Sequence, residues 1–376
     1  MFICTIKIGV TFNLENNDIA YNVDLINNDI ILMILIKRRF FLFIVFLFLM
    51  ISHSLGQDSH FSQFYANPLY LNPAFTGTAN CPRLAANFRD QWPAFPKNYI
   101  TFSGSYDQFI PEISSGIGLL LTGNINGSGA FQNYHASAIY NFRAQVADQF
   151  YLNFALQASY VFSSIYWKKW KLATDIVNPN APRPDFSEED NKYRSKSQFD
   201  LAFGFMGYTP YLYFGLAVHH LLPFQTNFFK SSNKNFEKKW EPKWTAHVGG
   251  KITIIQRNKY EVNFGDIFFH PNIIFISQGK FHYLHEGFYF NLYPLTVGVW
   301  LRHNFNNLDA FIISCGVEYK IFKIGYSYDF SLTKLERTGG AHEISLQFII
   351  PCNTDKMEKA SLSKRRRYTP ADCPCF

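Results

Sequence analysis

At 376 residues and 48% hydrophobic content, the chain can bury a large folded body. Its formal net charge of +7 is modest for that length, which fits weak attraction to anionic surfaces and speaks against a nucleic-acid partner. With 41 Phe and 22 Tyr and few helix signals, the composition turns attention to strands.

Residues 1–32 hold six Asn and no amphipathic period. Met33, followed by Ile-Leu-Ile-Lys-Arg-Arg, opens an ordinary signal peptide, so 1–32 is expected to be a mis-annotated extension left out of the folded protein. Phe40–Ile51 is an apolar run of twelve residues, short of the ~20 a membrane helix needs. The basic flank Lys37-Arg38-Arg39 and the small residues Ser52, Ser54 and Gly56 mark 33–56 as a secretory signal, with cleavage expected between Gly56 and Gln57. Removing 1–56 takes away four basic and four acidic residues, so the net charge is unchanged. Five cysteines remain (Cys81, Cys315, Cys352, Cys373, Cys375), and an odd number in an exported chain implies a free or intermolecular thiol.

The stretch 57–81 begins "QDSHFSQFYANPLYLNPAFTG" and carries Asn67-Pro68 and Asn72-Pro73 among aromatic residues. Each Pro lacks an amide proton and restricts the residue before it, so no helix or continuous strand is expected there. Phe61, Phe64, Tyr65, Tyr70 and Phe75 are too many aromatics for a solvated linker. The segment reads as a plug or partner-docking element, with a plain linker as the alternative.

From residue 82 the chain alternates apolar and polar or small residues. In 151–160, Leu152, Phe154, Leu156, Ala158 and Tyr160 oppose Asn153, Ala155, Gln157 and Ser159; in 294–303, Leu295, Val297, Val299 and Leu301 oppose Thr296, Gly298, Trp300 and Arg302. Period-two alternation is the strand signature. Fourteen strands are expected, near 82–91, 99–109, 114–123, 130–142, 149–161, 198–208, 210–220, 243–254, 259–277 (interrupted around Pro271), 285–292, 294–303, 309–318, 320–330 and 340–350. A soluble sandwich would hide the apolar face, whereas a membrane barrel would turn it to lipid. The ~10-residue length, the small or charged opposing set and an even strand count favour an all-β transmembrane antiparallel barrel over 82–350. Short connections such as 110–113, 143–148 and 255–258 alternate with long ones at 162–197, 221–242 and 331–339. That asymmetry is the one outer-membrane barrels show, and it places both chain ends in the periplasm.

Catalytic signals are thin. His285-Glu286 and His342-Glu343 lack a second His at helical spacing and lie in strand-like sequence, and Cys373-Pro-Cys375 is too tight for a zinc site, so neither metal nor cofactor is expected. Arg89, Asp200, Arg302, Lys323, Asp329 and Glu343 fall on the lumen parity and read as structural charges or as gating or binding groups. Trp167-Lys168-Lys169-Trp170-Lys171, near the acidic turn Asp185 to Asp190, reads as a headgroup-level loop. Lys364-Arg365-Arg366-Arg367 lies in a basic tail, 351–376, expected to be a periplasmic extension.

The start "QDSHFSQFYANPLYLNPAFTGT", the first strand "PRLAANFRDQWPAF", the strand "PLTVGVWLRH" and the late stretch "GYSYDFSLTKLERTGGAHEISLQF" together resemble the PorP/SprF family of outer-membrane proteins. The resemblance runs from about Gln57 to the last strand. It implies a non-enzymatic barrel of the type IX secretion system in gliding, adhesin-secreting bacteria. Its expected partners are other type IX secretion components, a secreted surface cargo protein such as an adhesin, and outer-membrane lipid. A passive pore for small solutes is the alternative function.

Overall fold

The computed structural model describes residues 58–94, 98–166, 194–222, 240–255, 267–305, 307–333 and 338–352. The signal region with Gly56 and Gln57, the Trp167–Lys171 and Asp185–Asp190 patches and the basic tail with Cys373 and Cys375 lie outside the described residues. The strands in the first half are β1 (Arg83–Gln91), β2 (Tyr99–Ile110), β3 (Ser115–Asn126), β4 (Phe131–Ala147), β5 (Phe150–Ile165), β6 (Arg194–Tyr208), β7 (Leu212–His219) and β8 (Lys243–Gly250). The second half adds β9 (Ile252–Ile255), β10 (Ile267–Gln278), β11 (Phe281–Leu292), β12 (Leu295–Asn304), β13 (Asn307–Tyr319), β14 (Phe322–Ser331) and β15 (Ala341–Ile349).

Each strand pairs antiparallel with its neighbour, β8 pairs with β10, and β1 pairs with β15 from Arg83↔Ile349 to Gln91↔Ala341. Fourteen strands therefore close a ring, and the short β9 stands outside it, bonded to β10. Closure satisfies the backbone groups of both edges, which lipid cannot do.

The faces follow the alternation. Phe199 is 71% exposed and Asp200 beside it 4%. Leu119, Leu121, Leu156, Leu216 and Ile344 point outward in the same way. Burying the polar face and baring large apolar side chains is unfavourable in water and favourable in a bilayer, as an outer-membrane barrel requires.

Several boundaries differ from expectation: β4 runs on to Ala147, so the connection expected at 143–148 shrinks to 148–149, and β6 starts at Arg194 rather than 198. β11 begins at Phe281 rather than 285, because β10 and β11 meet in a tight turn at 279–280. β10 begins at Ile267, and residues 256–266, on which the expected turn 255–258 and the expected strand start at 259 largely fall, lie outside the described residues. β10 also runs unbroken through Pro271. The interruption falls on the neighbour instead: pairing with β8 ends at Asn272↔Gly249 and pairing with β9 resumes at Phe269↔Ile252. Pro271 has no amide to donate, and it sits where β10 has no ladder partner on that side.

The long connections 166–193, 220–242 and 332–340 leave one end of the barrel, here the loop end. The tight 148–149, 293–294 and 320–321 leave the other, the turn end, where β1 starts and β15 finishes. A disulfide joins Cys81 to Cys352 there, just outside the β1–β15 seam, and Cys315 is free and exposed on the outer face.

Candidate functional site: the segment inside the barrel

The two Asn-Pro pairs start short helical turns, contrary to the expectation that they exclude helix. Pro68 opens α1 (Pro68–Leu71) and Pro73 opens a 3-10 turn, Pro73–Phe75. The missing amide costs nothing at a first helical position, and the fixed backbone angle suits it. The Asn72 side chain accepts from the Ala74 amide at 2.9 Å, capping the second turn.

The segment 58–80 threads the bore from the loop end to the turn end. At the loop end, the Asp58 carboxylate meets His220 Nε2 at 2.8 Å and Lys243 Nζ at 3.1 Å and accepts from Trp240 Nε1 at 3.1 Å. His220 Nδ1 contacts Asp200 at 2.7 Å. Burial opposes the His220 charge, but Asp58 and Asp200 outweigh it and raise its pKa to about 9. Burial likewise works against the Asp58 charge, yet His220 and Lys243 hold its pKa well below the usual carboxylate value.

One layer deeper, the Ser62 and Gln63 amides donate to the Glu343 carboxylate at 2.7 and 3.0 Å. Ser62 Oγ donates to Asp329 and accepts from Arg89 Nη1, both at 2.7 Å. Arg89 spans Asp329 (2.7 Å) and Glu343 (3.2 Å), and Arg302 bridges Asp329 (3.0 Å) and Asp309 (2.6 Å). Buried charges of this kind survive only when paired and hydrogen-bonded, and here the wall and the segment pair each other's charges, leaving Arg89 Nε and Asp329 Oδ1 without a hydrogen-bond partner.

Near the middle, Asn67 donates to Ser103 Oγ at 2.8 Å, and Asn72 Nδ2 reaches the Phe205 carbonyl at 3.1 Å and His247 Nε2 at 3.0 Å. Phe64 packs on His285 and Trp300, Tyr65 on Tyr289, and Phe75 stacks on His247. At the turn end the Gly77 amide donates to Asp107 at 2.7 Å, Asp107 pairs with Arg83 at 2.8 Å, and Arg143 donates to the Gly77 carbonyl at 2.6 Å. Gly77 has φ +75°, and a side chain on Gly116 opposite would strike the Thr76 carbonyl. Small lumen residues are what let the segment lie against the wall.

Of the residues singled out in the sequence, Phe61, Phe64, Asn67, Pro68, Asn72, Pro73 and Phe75 are buried inside the barrel and Tyr65 is largely so. Arg89, Arg302, Asp329 and Glu343 come together in one network, and Asp200 joins the loop-end cluster. Lys323 stands apart, paired with Glu318 at 3.1 Å toward the turn end. Sequence reasoning missed Asp58, His220 and Lys243 as one cluster, and Arg83, Asp107 and Arg143 as another. The lumen parity of Arg83 and Asp107 was the available signal.

The chain termini expected in the periplasm lie outside the described residues, and only the ends of the described chain are placed. Asp58 lies at the loop end and Cys352 at the turn end, so the two do not share a side. Twenty-odd residues of plug rise through the bore before the first strand starts, at roughly 3 Å each where extended.

The threading is oblique. Asp58 at the loop end is held by β8 and the connection before it. Residues 62–65 lie against β1, β11, β12, β14 and β15, and residues 72–77 against β2 and β4–β8, with cavities left beside the segment. A polar one at the loop end is lined by Thr122, Ser137, Gln157, Ser159 and Asp200. A more apolar one toward the turn end is lined by Tyr65, Tyr289, Val317, Lys323 and Ile324.

Residues 53–348 match the family described as type IX secretion system membrane protein PorP/SprF. The chain belongs to that family. No curated protein matches it. Among solved structures, the PorP/SprF chain is similar to a Pseudomonas aeruginosa FadL homologue, at 10% identity and TM-score 0.37, covering 76% of this chain and 96% of that one. The CymD monoaromatic hydrocarbon channel gives 9% identity and TM-score 0.40 over 79% and 96%. BamA from Haemophilus ducreyi, lacking its first three POTRA domains, gives 8% and 0.36 over 72% and 70%. Family and strand ring together make this an outer-membrane β-barrel of the type IX secretion system.

Proposed function

We propose that this PorP/SprF barrel works closed, as an anchor that holds secretion components and exported surface cargo such as an adhesin at the outer membrane. The supporting observation is the buried segment: from Asp58 to Gly77 it meets wall residues at every level of the bore. An open solute pore has no use for such a set of contacts. In this reading the long loops face the cell exterior, where cargo is held. The turn end, with the tail beyond Cys352, faces the periplasm and the machinery.

Planar-bilayer conductance and cargo display test the reading together. Wild-type barrel should conduct little, and affinity isolation from native membranes should recover secretion components and a surface protein. Deleting Phe61 to Phe75 should leave a heat-resistant barrel that conducts more and retains less surface cargo. Steady wild-type conductance would sink the closed anchor in favour of a passive pore. Lost cargo at unchanged conductance would make the segment a docking site and not a plug.

A further inference from the structure

The polar cavity at the loop end lies between Asp58 and Tyr70 of the segment and the wall from β3 to β6. It encloses about 480 Å³ of non-atom space, part of it open to solvent, which falls within the ~300–1,000 Å³ of small-ligand sites. It sits just inside the rim: Asn124 is two residues from the end of β3, and His135 is four residues from the start of β4. Thr122 and His135 are direct partners across the β3–β4 ladder, and Asn124 is the next residue on the Thr122 face.

Most of the polar lining is already committed. Ser137 and Ser159 share a hydrogen bond of 2.8 Å, and Gln157 donates to both. Asp58 and Asp200 face His220 and Lys243, two negative groups against two positive ones. Three neighbouring groups are not committed. Asn124 accepts from the Ser59 hydroxyl through its carbonyl oxygen, which leaves its amide nitrogen unused. The Thr122 hydroxyl and the His135 ring nitrogens likewise have no hydrogen-bond partner among the described residues. All three side chains keep contact with the open space, since Asn124 and His135 are half-buried and Thr122 is 7% exposed.

The balanced charges give an ionic ligand no counter-ion, so its desolvation would go uncompensated. An apolar ligand would meet only Leu120 and the Tyr70 ring. What stands unused is a hydroxyl, an amide nitrogen and an imidazole side by side, a mixed set of donors and acceptors. A ligand that meets all three carries several hydroxyls, each able to donate and accept, at adjacent positions on a small frame. A sugar ring has that pattern, and its C–H face suits the Leu120 side chain.

We propose that this cavity binds one neutral hexose unit, free or at the end of a glycan, through Thr122, Asn124 and His135. The inference is independent of whether the barrel anchors cargo.

Saturation-transfer NMR titration of the full barrel in lipid nanodiscs tests it, with glucose, galactose and mannose as probes and empty nanodiscs as blank. Saturable one-site binding of at least one hexose is expected. Cyclohexylmethanol, without the ring hydroxyls, and the uronate of the bound hexose, which brings a charge, should each bind at least roughly tenfold more weakly. Thr122→Val and His135→Phe should each weaken the hexose roughly fivefold, while Lys323→Gln, toward the other end of the barrel, leaves it unchanged. A trisaccharide ending in the same hexose separates the two sources: equal affinity marks a glycan end, and a large loss marks a free sugar. Heat-resistant migration of each variant checks the fold. Failure of all three hexoses to saturate would mean a cavity that holds water only and would overturn the proposal. Equal affinity for cyclohexylmethanol, or full hexose affinity in folded Thr122→Val and His135→Phe barrels, would overturn it as well.

Discussion

The two ends of the buried segment are held by different physics. At the turn end, Arg143 and Asp107 grip the backbone of Gly77, Asp107 also neutralises Arg83, and a disulfide fixes Cys81 two residues before β1. At the loop end the Asp58 carboxylate holds the segment through groups that include a titratable His220 and the far end of a long connection, Trp240, beside the hydrogen bond the Asp58 amide donates to Gln278 Oε1. Backbone-directed and covalent contacts persist across pH, whereas an ion pair with histidine does not. The segment is therefore hinged at the turn end and latched at the loop end.

The largest effect should come from the hinge. Asp107→Ala leaves Arg83 buried without its counter-ion and the Gly77 amide without its acceptor, a loss of about 3–5 kcal/mol read from urea unfolding in lipid vesicles. Replacing Cys81 and Cys352 together by Ser should cost about 2–4 kcal/mol in the same assay. Asp58→Ala should cost somewhat less than Asp107→Ala, about 2–4 kcal/mol: Lys243 loses its carboxylate, but Asp200 still neutralises His220 and the Tyr70 ring still faces the Lys243 cation. If Asp58→Ala proves costlier than Asp107→Ala, hinge and latch are reversed.

The pH response should fall on the latch alone. His220 has a raised pKa, so its contribution is complete below the ordinary 6.5 and is lost as pH rises through about 9. Asp58 has a lowered one, so its share is present above the ordinary 3.8 and is lost as pH falls through the depressed value. Amide hydrogen exchange, corrected for intrinsic rate, should therefore loosen near residues 58–62 between pH 7 and about 10 while residues 74–78 stay protected. Equal loosening of both stretches would break the comparison. The smallest effect is expected for Lys323→Gln, whose partly exposed pair with Glu318 belongs to neither end, at under ~1 kcal/mol.

The wall was legible because alternation is local. Phe199 and Asp200 declare opposite faces side by side, and the same rule placed Arg89, Asp329 and Glu343 in the lumen. Their joint partner was not legible: Ser62 is 267 residues from Asp329, and no periodicity links them. Pro68 and Pro73 misled because a helix breaker within a helix is a helix starter at its first position. The strand start at Phe281 is marked in the sequence by Gly279 alone, which takes φ +57° in the two-residue turn. The broken edge opposite Pro271 needed the identity of the neighbouring strand, which only the closed ring supplies.

The Cys81–Cys352 link has a mechanical consequence. It turns residues 81–352 into a covalent loop, with the stretch before Cys81 rising through its middle like the tail of a lasso. Force applied to the loop-end side of that tail would peel contacts one after another, beginning with Asp58, and would leave the ring intact. Force applied from the turn end would bear on a sulfur–sulfur bond and on every seam contact from Arg83↔Ile349 upward at once. The barrel thus yields to a pull from the side of its long loops and resists one from the other, a directionality set by which end of the tail is tied.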